Sequence, residues 1–87
     1  MRHQVTLYTT EPCAHCRNAK ALLDLRGVAY DEVNLAKDPD GRAELVKRTG
    51  LMTFPQIVID GETIGGLREL VEFDRHGGLR ALKAAAA

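Results

Sequence analysis

Apolar and polar residues alternate from Gln4 to Tyr8, with Val5 and Leu7 on one side and Gln4, Thr6 and Tyr8 on the other. A period of two predicts a β-strand, and Tyr8 is expected to pack at its end. Thr9-Thr10-Glu11-Pro12 reads as a loop. From Cys13 the spacing changes: Ala19, Leu22 and Leu23 fall on one helical face, and the helix stops at Gly27. Val28 to Leu35, with Val28, Tyr30 and Val33, forms a second strand-like stretch, so the first third predicts a right-handed parallel strand-helix-strand unit. Asp38-Pro39-Asp40-Gly41 is a helix start, and Ala43, Leu45 and Val46 lead to a C-cap at Gly50. Gln56 to Ile59 and Glu62 to Ile64 flank Asp60-Gly61, a pair suited to the positive φ angles of a type I′ hairpin turn. After Gly65-Gly66, helical spacing resumes through Leu67, Leu70, Val71 and Phe73 up to Gly77-Gly78. Leu79 to Ala87 is left as one more helical turn or a frayed end. The order βαβαββα predicts an α/β fold with one four-stranded mixed sheet and helices on its faces.

Composition narrows the field. The chain has 87 residues, too few for two domains, so residues 1–87 are expected to form one domain with a small core. Twelve basic residues balance 12 acidic ones, and no basic stripe interleaved with aromatics appears, which argues against nucleic acid. No apolar run approaches the roughly 20 residues that span a bilayer. Met1-Arg2-His3-Gln4 leads into the first strand without the apolar segment of a secretory signal, so a cytoplasmic location is expected.

The chemistry concentrates at Cys13 and Cys16. A structural disulfide is a poor reading, because closing so short a loop removes little chain entropy and a reducing compartment keeps such pairs as thiols. Structural zinc needs four ligands, and His3, His15 and His76 are not in paired spacing, so no metal site is predicted. A redox pair is favoured over cluster binding or coincidence. The thiolate is the reactive form, and Cys13 sits at the start of a helix, where unpaired N–H groups and the dipole stabilise negative charge. Cys16, one turn deeper, is placed to resolve a mixed disulfide. His15 either adds charge and a hydrogen bond to a Cys13 thiolate or is a solvated residue. Pro12 either fixes the approach to Cys13 or is an ordinary loop proline. Thr53-Phe54-Pro55 precedes the hairpin with Phe54 held extended, and the residues leave the isomer of the Phe54–Pro55 bond open.

Leu7-Tyr8-Thr9, Cys13-Ala14-His15-Cys16, Thr53-Phe54-Pro55-Gln56-Ile57, Ile64-Gly65-Gly66 and Asp74-Arg75-His76-Gly77-Gly78-Leu79, taken in order, resemble the bacterial glutaredoxins of the glutaredoxin 3 type. The resemblance covers nearly the whole chain. It implies a thioredoxin-like fold and glutathione-dependent reduction of protein disulfides and of glutathione mixed disulfides, with Cys13 as nucleophile and Cys16 as resolving thiol. Glutathione is the implied reducing co-substrate, with no tightly bound cofactor. Disulfide-bonded or glutathionylated proteins are the implied partners, and a monomer is expected. Pro55 matches a cis-proline whose preceding residue, Phe54, meets the cysteine portion of glutathione like an added strand. Thr53 and His15 border the same place. Gly66, Leu67 and Arg68 match the loop and helix start that hold the γ-glutamyl end, where free N–H groups also favour a carboxylate.

Four positions depart from the family pattern. Ala14-His15 replaces Pro-Tyr or Gly-Tyr, Thr10 replaces a lysine, and Arg68 replaces an aspartate, with Glu69 next door as a substitute acceptor for the γ-glutamyl ammonium. Two other functions therefore stand beside the leading one: a redoxin served by thioredoxin reductase, and a carrier of a [2Fe–2S] cluster ligated by Cys13 and glutathione thiols. Cys16 counts against the second.

Overall fold

The alternation at the start of the chain becomes β1 (Val5–Thr9), whose Val5, Leu7 and Thr9 point inward while Thr6 and Tyr8 stand half-buried on the opposite face. The computed structural model describes residues 3–86. After β1 come α1 (Ala14–Leu25), β2 (Asp31–Asn34), α2 (Pro39–Thr49), β3 (Gln56–Ile59), β4 (Glu62–Gly65), α3 (Leu67–Arg75) and α4 (Gly78–Ala86). The strands form one sheet in the order β2-β1-β3-β4. β1 runs parallel to β2 and antiparallel to β3, and β3 is antiparallel to β4. This is the predicted mixed sheet.

One face of the sheet carries the main core. Val5 and Leu7 meet Ile57 and Ile59 of β3, Ala19 and Leu23 of α1, Leu70 of α3, and Leu79 and Leu82 of α4. Each of the valine, leucine and isoleucine side chains contributes about 1.5–3 kcal/mol by leaving water. α2 covers the other face, where its Arg48 guanidinium stands 5.9 Å from the centre of the Tyr8 ring and donates to the Tyr8 hydroxyl at 3.3 Å. Tyr8 thus packs at the end of its strand as expected. Asp38 caps α2 by accepting from the Gly41 N–H at 2.9 Å. Gly50 ends the helix at φ +75 and returns its N–H to the Val46 carbonyl at 2.7 Å.

Two elements differ from the sequence expectation. The second strand is only Asp31–Asn34, and Val28 lies outside it, because the Val28 N–H closes the end of α1 on the Leu23 carbonyl at 3.0 Å. The tail from Gly78 is a full helix rather than a turn, since Leu79 and Leu82, three apart, both reach the core and the alanines that follow favour helix. The order is therefore βαβαββαα. The β3–β4 hairpin turns on Asp60 and Gly61, both with positive φ, as a type I′ turn requires. The Asp60 carboxylate also accepts from the Gln4 N–H at 2.8 Å and binds His3, tying the turn to the start of β1.

Candidate active site

A helix leaves its first N–H groups without partners, and at α1 one of them is taken up by sulfur. Cys13 is the N-cap, in extended conformation, and its Sγ accepts the Cys16 N–H at 3.1 Å. No acidic side chain stands in the first turn to oppose negative charge there. The two sulfurs are joined as a disulfide, with Cα atoms 5.2 Å apart. Cys13 is half-buried, whereas Cys16 is 2% exposed. Cys13 is therefore the more accessible of the two sulfurs, and its Sγ rests against the Cys16 N–H, a donor suited to negative charge.

The second wall comes from the segment before β3. The Phe54–Pro55 bond is cis, as is Glu11–Pro12. The Phe54 carbonyl oxygen lies 3.9 Å from the Cys13 sulfur. From there a cleft of about 830 Å³ runs to the start of α3, and His15, Thr53, Phe54, Pro55, Gly66, Leu67 and Arg68 all line it. Every residue read from the sequence as a glutathione contact thus stands in one place. Gly66 comes close to the segment before β3, since a Cβ there would lie 3.3 Å from the Pro55 carbonyl oxygen. His15 is exposed and makes no side-chain hydrogen bond among the described residues.

The charges in the cleft were only partly legible. Glu69 accepts the Gly66 N–H at 2.8 Å, so it caps α3 and one of its oxygens is already occupied. Glu69 at the third helical position supplies one half of a capping box, and Gly66 has no side chain to supply the other. Glu72 and Arg75 also line the cleft and pair with each other at 3.6 Å. Arg68 is exposed and forms no ion pair among the described residues.

Behind the disulfide lies a smaller hollow shared by Cys13, Cys16, Thr9, Thr10, Lys20 and Glu32. The buried Thr9 hydroxyl donates to Glu32 at 2.7 Å, and Lys20 approaches both Glu32 oxygens at 3.2 and 3.3 Å. The Thr9 hydrogen bond and then Lys20 hold the Glu32 carboxyl below its ordinary value against the opposing effect of partial burial. Sequence reasoning also missed Gln56, which is fully buried under the Leu51–Thr53 segment.

Comparison with known proteins gives one answer throughout. The family model described as Glutaredoxin matches residues 5–64. Glutaredoxin 3 of Escherichia coli is 44% identical over 78 residues, which cover 90% of this chain and 94% of the relative. A glutaredoxin of Pseudomonas aeruginosa is 41% identical over 81 residues, covering 93% and 96%. Among solved structures, the buckwheat glutaredoxin–glutathione complex superposes with a TM-score of 0.84 at 29% identity, over 97% of this chain and 79% of that one.

Proposed function

Since this chain belongs to the glutaredoxin family and is a glutathione-dependent thiol–disulfide oxidoreductase, we propose that Cys13 is its nucleophile, Cys16 its resolving thiol, and the cleft from His15 to Arg68 its glutathione site. The observation that carries this assignment is the Cys13 sulfur itself. It sits on the Cys16 N–H at the helix start, 3.9 Å from the Phe54 carbonyl, at the edge of the cleft.

With a glutathionylated protein, the Cys13 thiolate attacks the glutathione sulfur. The protein leaves as a thiol, and glutathione stays bonded to Cys13. A second glutathione thiolate then attacks that glutathione sulfur, forms glutathione disulfide and releases the Cys13 thiolate. With a protein disulfide, Cys13 forms a mixed disulfide with one substrate sulfur, Cys16 displaces the substrate, and the Cys13–Cys16 bond is left for two glutathiones to reduce. The first route consumes one glutathione thiol per mixed disulfide and the second consumes two per protein disulfide, and both release one glutathione disulfide. In the cleft, the backbone of Phe54 meets the cysteine portion of glutathione as an added strand. Thr53 and Pro55 fix that strand's direction. The N–H groups of Leu67 and Arg68 at the start of α3 face the γ-glutamyl carboxylate. In this reading residues 1–87 form one domain that acts as a monomer in the cytoplasm, with disulfide-bonded and glutathionylated proteins as substrates. Glutathione is a co-substrate, and no resident cofactor takes part. Among the described residues no helix is long and apolar enough to cross a membrane.

The test is NADPH oxidation coupled through glutathione reductase with a glutathione mixed disulfide as substrate. Turnover is expected in the wild type and in Cys16→Ser, and none in Cys13→Ser, while reduction of protein disulfides falls sharply in Cys16→Ser. Turnover that requires thioredoxin reductase and ignores glutathione would overturn the proposal.

A further inference from the structure

Gln56 opens β3, yet its side chain is fully buried. Its amide points back under the segment that joins α2 to β3. Nε2 donates to the Leu51 carbonyl at 2.9 Å and to the Thr53 carbonyl at 3.1 Å, and Oε1 accepts from the Thr49 hydroxyl at 2.8 Å. The orientation of the amide follows from chemistry, because two carbonyl oxygens can only accept and the atom facing them must be the nitrogen. Thr49 extends the network, since its oxygen also accepts the Leu51 N–H at 3.2 Å and its hydroxyl is shared with the Leu45 carbonyl at 3.0 Å. No buried side-chain nitrogen or oxygen among the described residues lacks a partner.

The carbonyls held by Gln56 belong to residues on either side of Met52, which is 81% exposed and contributes no packing of its own. Leu51 and Phe54 are half-buried and Pro55 is buried, so the segment packs at its two ends, while its exposed middle, Met52 and Thr53, is tied down through the carbonyls that the Gln56 amide holds. Its far end is Phe54, whose carbonyl lies 3.9 Å from the Cys13 sulfur. We infer that Gln56 is a positioning residue: it touches neither cysteine nor the cleft, but fixes the height and direction of the Phe54 backbone on which a peptidyl thiol pairs. The inference rests on the proposed glutathione site and adds the element that holds it in shape. Cys13 depends on a different support, the start of α1, so its own reactivity is independent of Gln56.

This separation makes the inference testable with two rates measured on each variant. Gln56→Met keeps the length of the side chain and removes the amide. It is expected to lower kcat/KM for a glutathionylated peptide about tenfold, through KM, the equivalent of one hydrogen bond to the bound peptide. The rate at which iodoacetamide alkylates Cys13 in the reduced variant is expected to match the wild type, because that small reagent makes no strand contact. An unchanged kcat/KM overturns the inference. A fall in both rates together also overturns it, because it would mean general damage to the fold. If Gln56→Met does not fold, Thr49→Val decides by the same two rates: it removes one of the three amide partners and is expected to lower kcat/KM about threefold. A wild-type protein that leaves the glutathionylated peptide unreduced would instead overturn the glutathione site on which the inference rests.

Discussion

At Arg68 the structure sharpens an expectation from the sequence. The guanidinium is exposed in the cleft with no carboxylate paired to it among the described residues, and one oxygen of Glu69, the substitute acceptor, is already taken by the Gly66 N–H. In the proposed glutathione site, a γ-glutamyl ammonium would therefore meet a like charge. Arg68→Asp is expected to lower the KM for glutathione by up to about fivefold, since an exposed pair of this kind is worth about 1 kcal/mol or less. Steady-state kinetics with varied glutathione checks this, and an unchanged KM would show that the free Glu69 oxygen already neutralises the ammonium. The cysteines, the Thr53-Phe54-Pro55 turn and the Gly65-Gly66 pair were legible because each has a local signature in spacing or backbone demand. Gln56 was not. A glutamine at the head of a strand reads as a solvated residue, and it is buried only because carbonyls from the preceding loop turn inward to meet it. Its burial depends on the shape of that loop, which no period in the sequence reports.

The same distinction holds among the elements. α2 was legible at both ends because Asp38, Pro39 and Gly50 act through their own backbone, and the β3–β4 hairpin was legible because Asp60-Gly61 fixes its turn. β2 was read too long, since apolar residues at Val28 and Tyr30 look alike whether they pack from a strand or from the loop before it. Its extent is set by pairing with Thr6–Thr9. The end of α2 offers a direct test of local backbone strain. Gly50 has φ +75 and open space where a Cβ would stand, so Gly50→Ala meets no clash and is opposed by conformation alone. A loss of about 1 kcal/mol is expected, seen as a fall in Tm of roughly 4–8 °C. A thermal melt followed by circular dichroism measures it, and an unchanged Tm would mean that the helix end relaxes freely.

For the molecule as a whole, the pairing of Arg26 with Asp74 joins the end of α1 to α3 and so braces the helix that carries both cysteines against the helix that closes the cleft. The contact is bidentate, with Nε to Oδ1 at 2.9 Å and Nη2 to Oδ2 at 3.0 Å. The Arg26 guanidinium holds the Asp74 carboxyl below its ordinary value of 3.8. The folded protein thus binds that proton less readily than the unfolded chain does. The stabilisation is complete above that ordinary value and is lost as pH falls through the lower folded one. Asp74→Asn is expected to have a lower Tm than the wild type at pH 7, with the gap closing in acid below about pH 4. Melts across that range check it, and a gap independent of pH would show that charge plays no part. The strand order has a consequence of another kind. β2 and β4 are open edges, and an open edge offers unpaired N–H and C=O groups on which a foreign strand can grow. Here β2 carries Asp31 and β4 carries Glu62, so edges brought together by two copies meet carboxylate against carboxylate, while Glu32 is already engaged by Thr9 and Lys20. That repulsion opposes edge-to-edge pairing of two copies, so the open edges are guarded by charge and not by a covering element.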